Sequence, residues 1–337
     1  MYKIPKKLAT ASAIALLGFG GQALAGTVIY NTGNAATATV ALGINDDGSL
    51  NTDPNITANA NRTGLAFRFA DGGWQDGTAP GCFCEGWGVA VNGAFSGSAN
   101  ANDGTFGLTI GALSNVSGSS VTTTATLVSL PGISVTQEYA PAASGALFRA
   151  KVTISNTTGA TVNDVQYVRV MDWDIPPTEF SELVTIKGVA STTFLVQSHD
   201  DGFASADPLA SSSGSPGTND VDFSDNGPDD HGAYFRFNFG SLLDGESSVF
   251  NIFYGAASSE AAALAAIGAE GIELYSLGQQ SDGGVTGEPA TYIFGFSGVG
   301  GVPVVPPNDV PEPGTLLLSG LALAALAVTR RRLNARS

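Results

Sequence analysis

The sequence predicts an all-β protein: a large antiparallel β-sandwich with one short helix, preceded by an N-terminal signal peptide and followed by a C-terminal transmembrane helix. Three observations predict it. Segments alternating apolar and polar residues recur between positions 27 and 296, the period-two signature of half-buried strands. A composition with 44 Gly, few Lys and many Thr, Val, Ser and Asn suits short strands joined by tight turns. At each end an apolar run is bounded by positive charge, as in segments that meet a membrane.

Residues 1–25 read as the signal peptide. Lys3, Lys6 and Lys7 precede an apolar run over 8–19, and Ala23-Leu24-Ala25 follows, matching the charged, apolar and small-residue regions of a secretory signal. Cleavage after Ala25 makes Gly26 the first residue of the exported chain. The run of about 12 residues is too short for a lasting anchor, since a helix needs roughly 20 to span a bilayer.

The body is expected over 26–297, with no internal repeat or domain boundary. Alternation is clearest in Phe148-Arg149-Ala150-Lys151-Val152-Thr153-Ile154; a turn over 155–159 follows and 162–171 resumes it, which predicts a hairpin. Further strands are expected at 27–30, 64–69, 86–91, 106–110, 121–130, 133–139, 183–186, 193–197, 233–239, 249–254, 272–277 and 291–296. So many short strands suggest the sandwich. The helix is expected over 260–267, Ala-rich, capped by Ser258 or Ser259 and stopped by Gly268. Residues 298–310, with Pro303, Pro306 and Pro307, read as an extended linker holding the body off the membrane.

Charge excludes whole classes of partner. Seven basic and 30 acidic residues fall between Gly26 and Thr329, a formal charge of −23. Nucleic acid and anionic lipid both need a basic footprint; cations are the natural counter-charges. Eight aspartates and no Lys or Arg lie between His199 and His231. Within that stretch Asp222-Phe223-Ser224-Asp225-Asn226-Gly227 partly matches the start of a calcium loop, which makes Asp220, Asp222, Ser224 and Asn226 candidate Ca²⁺ ligands. Ala233 stands where an EF-hand needs a bidentate Glu, so a complete EF-hand is not expected, and a solvated turn cluster is the competing reading. Asn45-Asp46-Asp47-Gly48 and Asp71-Gly72-Gly73 read first as turns.

Cys82 and Cys84, the only cysteines, are a disulfide candidate in an exported chain. In a regular strand their Cα atoms would lie about 6.6 Å apart, so pairing requires a bend. Met171-Asp172-Trp173-Asp174 puts two carboxylates on one strand face. They could supply acid and base to glycoside hydrolysis, but such pairs normally flank a sugar across a cleft. Trp173 as a core residue, with the aspartates ending the strand, is the favoured reading. His199 and His231 read as loop residues, and no Ser/His/Asp order or G-x-S-x-G elbow occurs.

The last segment, 311–337, begins within Val310-Pro311-Glu312-Pro313-Gly314, continues through a Leu- and Ala-rich run to Thr329, and closes on Arg330, Arg331 and Arg332. The arginines set this end inside and the body outside. The motif, helix and basic cluster resemble the tripartite PEP-CTERM sorting segment recognised by exosortase. Pro311 and Pro313 fix φ and disfavour helix before them, which leaves Glu312 extended beside the membrane. The resemblance implies exosortase as a partner and transient anchoring in the inner membrane. It further implies a cell-surface or extracellular destination in a Gram-negative, exopolysaccharide-producing cell. The function expected is that of an exported surface or exopolysaccharide-matrix protein, non-enzymatic, with an acidic β-rich body that meets matrix sugars or bridging cations. The alternative is a secreted carbohydrate-active hydrolase using Asp172 or Asp174.

Overall fold

A computed structural model describes residues 26–283 and 289–304. Ala23 and Ala25 of the signal segment lie outside the described residues, as do Pro311, Glu312, Pro313, Arg330, Arg331 and Arg332 of the tail. No helix among the described residues is long and apolar enough to cross a membrane.

The chain opens with β1 (Gly26–Tyr30), β2 (Val40–Asn45), β3 (Leu65–Arg68) and β4 (Trp74–Asp76). There follow β5 (Gly86–Val91), β6 (Phe95–Asn100), β7 (Gly104–Phe106), β8 (Leu108–Ile110), β9 (Val121–Leu127), β10 (Ile133–Pro141), β11 (Leu147–Asn156) and β12 (Gln166–Asp172). The last third carries β13 (Glu182–Lys187), β14 (Leu195–His199), β15 (Phe223–Asp229), β16 (Gly232–Asn238), β17 (Ser247–Ala257), α1 (Glu260–Ala269), β18 (Leu274–Gln280) and β19 (Thr291–Ser297). The strands form three antiparallel sheets. The first is β1-β2-β3-β4, the second β14-β16-β12-β5-β6-β7, and the third β15-β13-β18-β19-β17-β11-β10-β9-β8.

Period-two alternation explains how the nine-stranded sheet is covered on both faces. In β17, Phe250, Ile252 and Tyr254 join the main core, while Phe253 turns to the other face with Ala263, Ala266 and Ile267 of α1. Aromatic contacts join the sheets across the main core. Tyr167 of β12 meets Phe250 at 5.0 Å between ring centroids, and Phe235 of β16 meets Phe296 at 5.3 Å. Phe67 of β3 reaches Tyr292 of β19 at 6.3 Å. Trp173 is buried in the same core and its Nε1 donates to Ser276 Oγ at 3.0 Å.

Several expectations need correction. Segments 148–154 and 162–171 do not form a hairpin: β11 pairs with β10 and β17, whereas β12 pairs with β5 and β16 in another sheet. The reason is burial on both faces of β12, where Val168 and Val170 pack under Ala204 and Ala206 while Tyr167 and Met171 face the main core. The expected strand 106–110 breaks at Gly107 into β7 and β8, which belong to different sheets. Strands β2, β4, β6 and β15 were not anticipated. β2 is buried throughout and so does not alternate, and β15 is acidic. Ser259 caps α1, its Oγ accepting from Ala262 N at 3.3 Å. Gly268 lies inside the helix, and the chain turns instead at Gly271, φ +61°.

The first part of the expected linker is fastened to the body. Glu273 accepts from the backbone N–H groups of Gly298, Val299 and Gly301 at 2.9 to 3.0 Å. Phe194 N donates to Val299 O at 3.2 Å, Val304 N donates to Ile272 O at 2.8 Å, and Val299 is buried.

Candidate functional site

The three sheets meet around the end of β12. Asp172 closes that strand opposite Gly232 of β16. Asp174, two residues on, is anchored by its N–H to Gly77 O at 2.9 Å, just past β4. Glu182, which begins β13 in the nine-stranded sheet, accepts from His231 N at 3.0 Å, just before β16 in the six-stranded sheet. Asp230 comes from the same turn as His231. One oxygen from each of Asp172, Asp174 and Asp230 lies within 4.8 Å of the other two.

This is an unusual place for carboxylates. Asp172 is 1% exposed and Asp174 0%. Among the described residues, neither oxygen of Asp174 has a hydrogen-bond partner, nor has Oδ1 of Asp172. Burial, then the neighbouring charges of Asp230, Glu182 and Asp201, raises the Asp172 carboxyl far above its ordinary range. Burial, then Asp172, Glu182, Asp230 and Asp76, does the same to Asp174. Glu182 is pushed up to about 7, mainly by burial, against the opposing hydrogen bond from His231. Like charges held this close cannot all ionise, so without a counter-ion the group retains protons at neutral pH.

Cys82 and Cys84 border the cluster and are disulfide-bonded, with Cα atoms 5.3 Å apart. The bend required for pairing comes from residues 82–85, which lie outside any strand. Cys82 Sγ lies 3.3 Å from Asp172 Oδ2. A disulfide sulfur has no proton, so any hydrogen bond here is donated by the protonated carboxyl.

On the other side, Asp200 Oδ2 meets His231 Nδ1 at 3.3 Å. Asp200 also accepts from Ser215 N and Thr218 Oγ1, both at 2.8 Å. Burial would raise its pKa, but these hydrogen bonds prevail and hold it well below the usual carboxylate range. His199 is not a loop residue, whereas His231 lies in a turn as expected but is buried there. His199 ends β14, is 0% exposed and stacks on Tyr234 with centroids 4.3 Å apart, and His231 is buried in the turn before β16.

Asp220, Asp222 and Asn226, three of the candidate calcium residues, are each tied to a different part of the body. Asp220 Oδ1 accepts from Ser198 N at 2.8 Å, Asp222 Oδ1 from Val189 N at 2.9 Å, and Asn226 Nδ2 donates to Asp200 Oδ2 at 3.2 Å. Ser224 is exposed on β15. Ser224 and Asn226 lie on β15, the edge strand of the nine-stranded sheet, with Asp220 and Asp222 just before it. The two weaker acidic segments are turns: Asp47 Oδ1 accepts from Ser49 N and Asp71 Oδ1 from Gly73 N, each at 2.9 Å.

Two features escaped the sequence reading. The convergence of Asp230 on Asp172 and Asp174 joins residues about 60 positions apart, and no local pattern marks it. The second is a buried ion pair between Arg169 of β12 and Glu85, for which a lone Arg inside the apolar run of β12 was an available signal.

The sequence profile of the PEP-CTERM protein-sorting motif matches residues 309–332. No curated protein matches the chain significantly. The chain therefore carries this sorting motif at its C-terminal end.

Proposed function

We propose that this is an exported surface or exopolysaccharide-matrix protein with a non-enzymatic β-sandwich body. In this reading a Sec-type signal is cut after Ala25 and exosortase processes the tail. The match of the sorting motif to residues 309–332 carries the proposal. Export threads the body outward until the apolar run and Arg330, Arg331 and Arg332 halt it. Pro311-Glu312-Pro313 then sits at the outer interface, within reach of a membrane enzyme. An apolar run of about 15 residues is short for a permanent span, which favours transfer over anchoring. The body's charge of −23 suits cations or neutral sugars in the matrix.

Mass spectrometry of the exported protein tests this. The expected form begins at Gly26 and lacks residues beyond about Pro313, and Glu312→Ala accumulates the uncut form at the membrane. Recovery of peptides covering 316–330 from the extracellular fraction of wild-type cells would remove the sorting reading. The hydrolase reading is disfavoured because Asp172 and Asp174 are buried side by side, whereas a glycosidase places its carboxylates on either side of a bound sugar. Polysaccharide hydrolysis by the exported protein, lost in Asp174→Ala, would overturn the non-enzymatic assignment.

A further inference from the structure

We infer that Asp172, Asp174 and Asp230 form a site for one calcium ion at the junction of the three sheets. Two independent observations converge on it. The first is geometric: three carboxylates, drawn from β12, the segment after it and the β15–β16 turn, each offer an oxygen within 4.8 Å of the others. The second is the state of the side chains. Asp174 is fully buried with both oxygens unpartnered, and Asp172 is 1% exposed with Oδ1 unpartnered. Buried polar atoms are almost always hydrogen-bonded, so three orphaned oxygens from two neighbouring acids are a ligand set, and no Arg or Lys among the described residues pairs with any of these three acids.

The surroundings fit an ion. Gly202 lies against Asp172, and a Cβ there would come within 2.8 Å of Oδ1, so glycine keeps that oxygen clear. Asp230 is exposed, which provides a route in and room for water ligands. The donors are all carboxylate oxygens, which select hard cations over zinc or copper. Asp174 can bind through both oxygens, and three carboxylates with water completing the shell suit the six to eight ligands of Ca²⁺. Mg²⁺ takes fewer carboxylates and keeps its waters in a strict octahedron. Bound calcium would join the first turn beyond β12 to the β15–β16 connection and so lock the six-stranded sheet to its neighbours. The site is separate from Asp220, Asp222, Ser224 and Asn226, and it does not depend on how the tail is processed.

The test uses the exported protein stripped with a chelator and titrated with CaCl₂ by calorimetry, with thermal melts in parallel. One ion per chain is expected, with a raised Tm and with Mg²⁺ at least tenfold weaker. Asp230→Asn, an exposed and conservative change, should fold normally and bind calcium at least tenfold more weakly. Asp222→Asn should bind like the wild type. Absence of both heat and Tm shift up to millimolar calcium, or undiminished binding in both Asp230→Asn and Asp174→Asn, would overturn the site. Equal or tighter binding of Mg²⁺ would overturn its assignment to calcium.

Discussion

Arg169 shows how one side chain can hold several elements in register. Besides Glu85, it donates to Gln137 Oε1 at 2.9 Å and to Gly48 O at 3.1 Å. Glu85 Oε2 accepts from Leu50 N at 2.8 Å, and Tyr139 Oη donates to Gly48 O at 2.9 Å. The turn after β2 is thereby bound to β12 of the six-stranded sheet and to β10 of the nine-stranded sheet. Such a pair adds little net stability compared with an apolar replacement, but removing one partner leaves an uncompensated buried charge. We expect Arg169→Met to cost about 3–5 kcal/mol in urea unfolding. Combining it with Glu85→Gln should cost less than the sum of the two changes. A cost below about 1 kcal/mol for Arg169→Met would mean that Glu85 finds water or a proton instead.

At the level of the element, β5 depends on two-sided cover. It is buried along its whole length, because the segment 204–208 lies over one face and the main core over the other. Gly88 permits the approach: a Cβ there would collide with the carbonyl oxygen of Ala206 and come within 2.9 Å of Pro208 Cδ. Gly88→Ala should therefore destabilise the protein by about 1–3 kcal/mol, the usual range for overpacking. Since the obstruction is a backbone oxygen, adding Ala206→Gly should not restore the loss. Full recovery in that double variant, measured by urea midpoint, would show that the Ala206 side chain was the obstacle.

On the scale of the whole molecule, the folded body extends past its last strand. Glu273 gathers three N–H groups from 298–301, and Val299 fills a buried position in the main core. A chain ending at Val304 should melt like one ending at Pro313. One ending at Ser297 loses the charge-assisted hydrogen bonds and the buried valine, and should melt at least about 4 °C lower, given roughly 2–4 °C per kcal/mol for a domain of this size class. Equal melting of the 297 and 304 forms would mean that the strap adds no stability. The strap also bears on sorting, because Val304 is fastened to Ile272 and Pro311 follows only seven residues later in the sequence.

What the sequence determined by itself was local. The sorting motif is a contiguous run whose recognition needs no partner, and it was legible outright. Strands such as β9 and β11, which bury one face more deeply than the other, were legible from alternation, and α1 from its Ala content and Ser259 cap. Strand β2, buried on both faces, offered no alternation, and β15 carried acids that look like a loop. Only the tertiary structure decided which strands pair, moving β12 away from β11, and which acids converge. Periodicity records whether a residue is covered, not by what. The neighbours of Asp172 and Asp174 come from β13 and the β15–β16 turn, so their cluster exists only once the sheets have closed on one another.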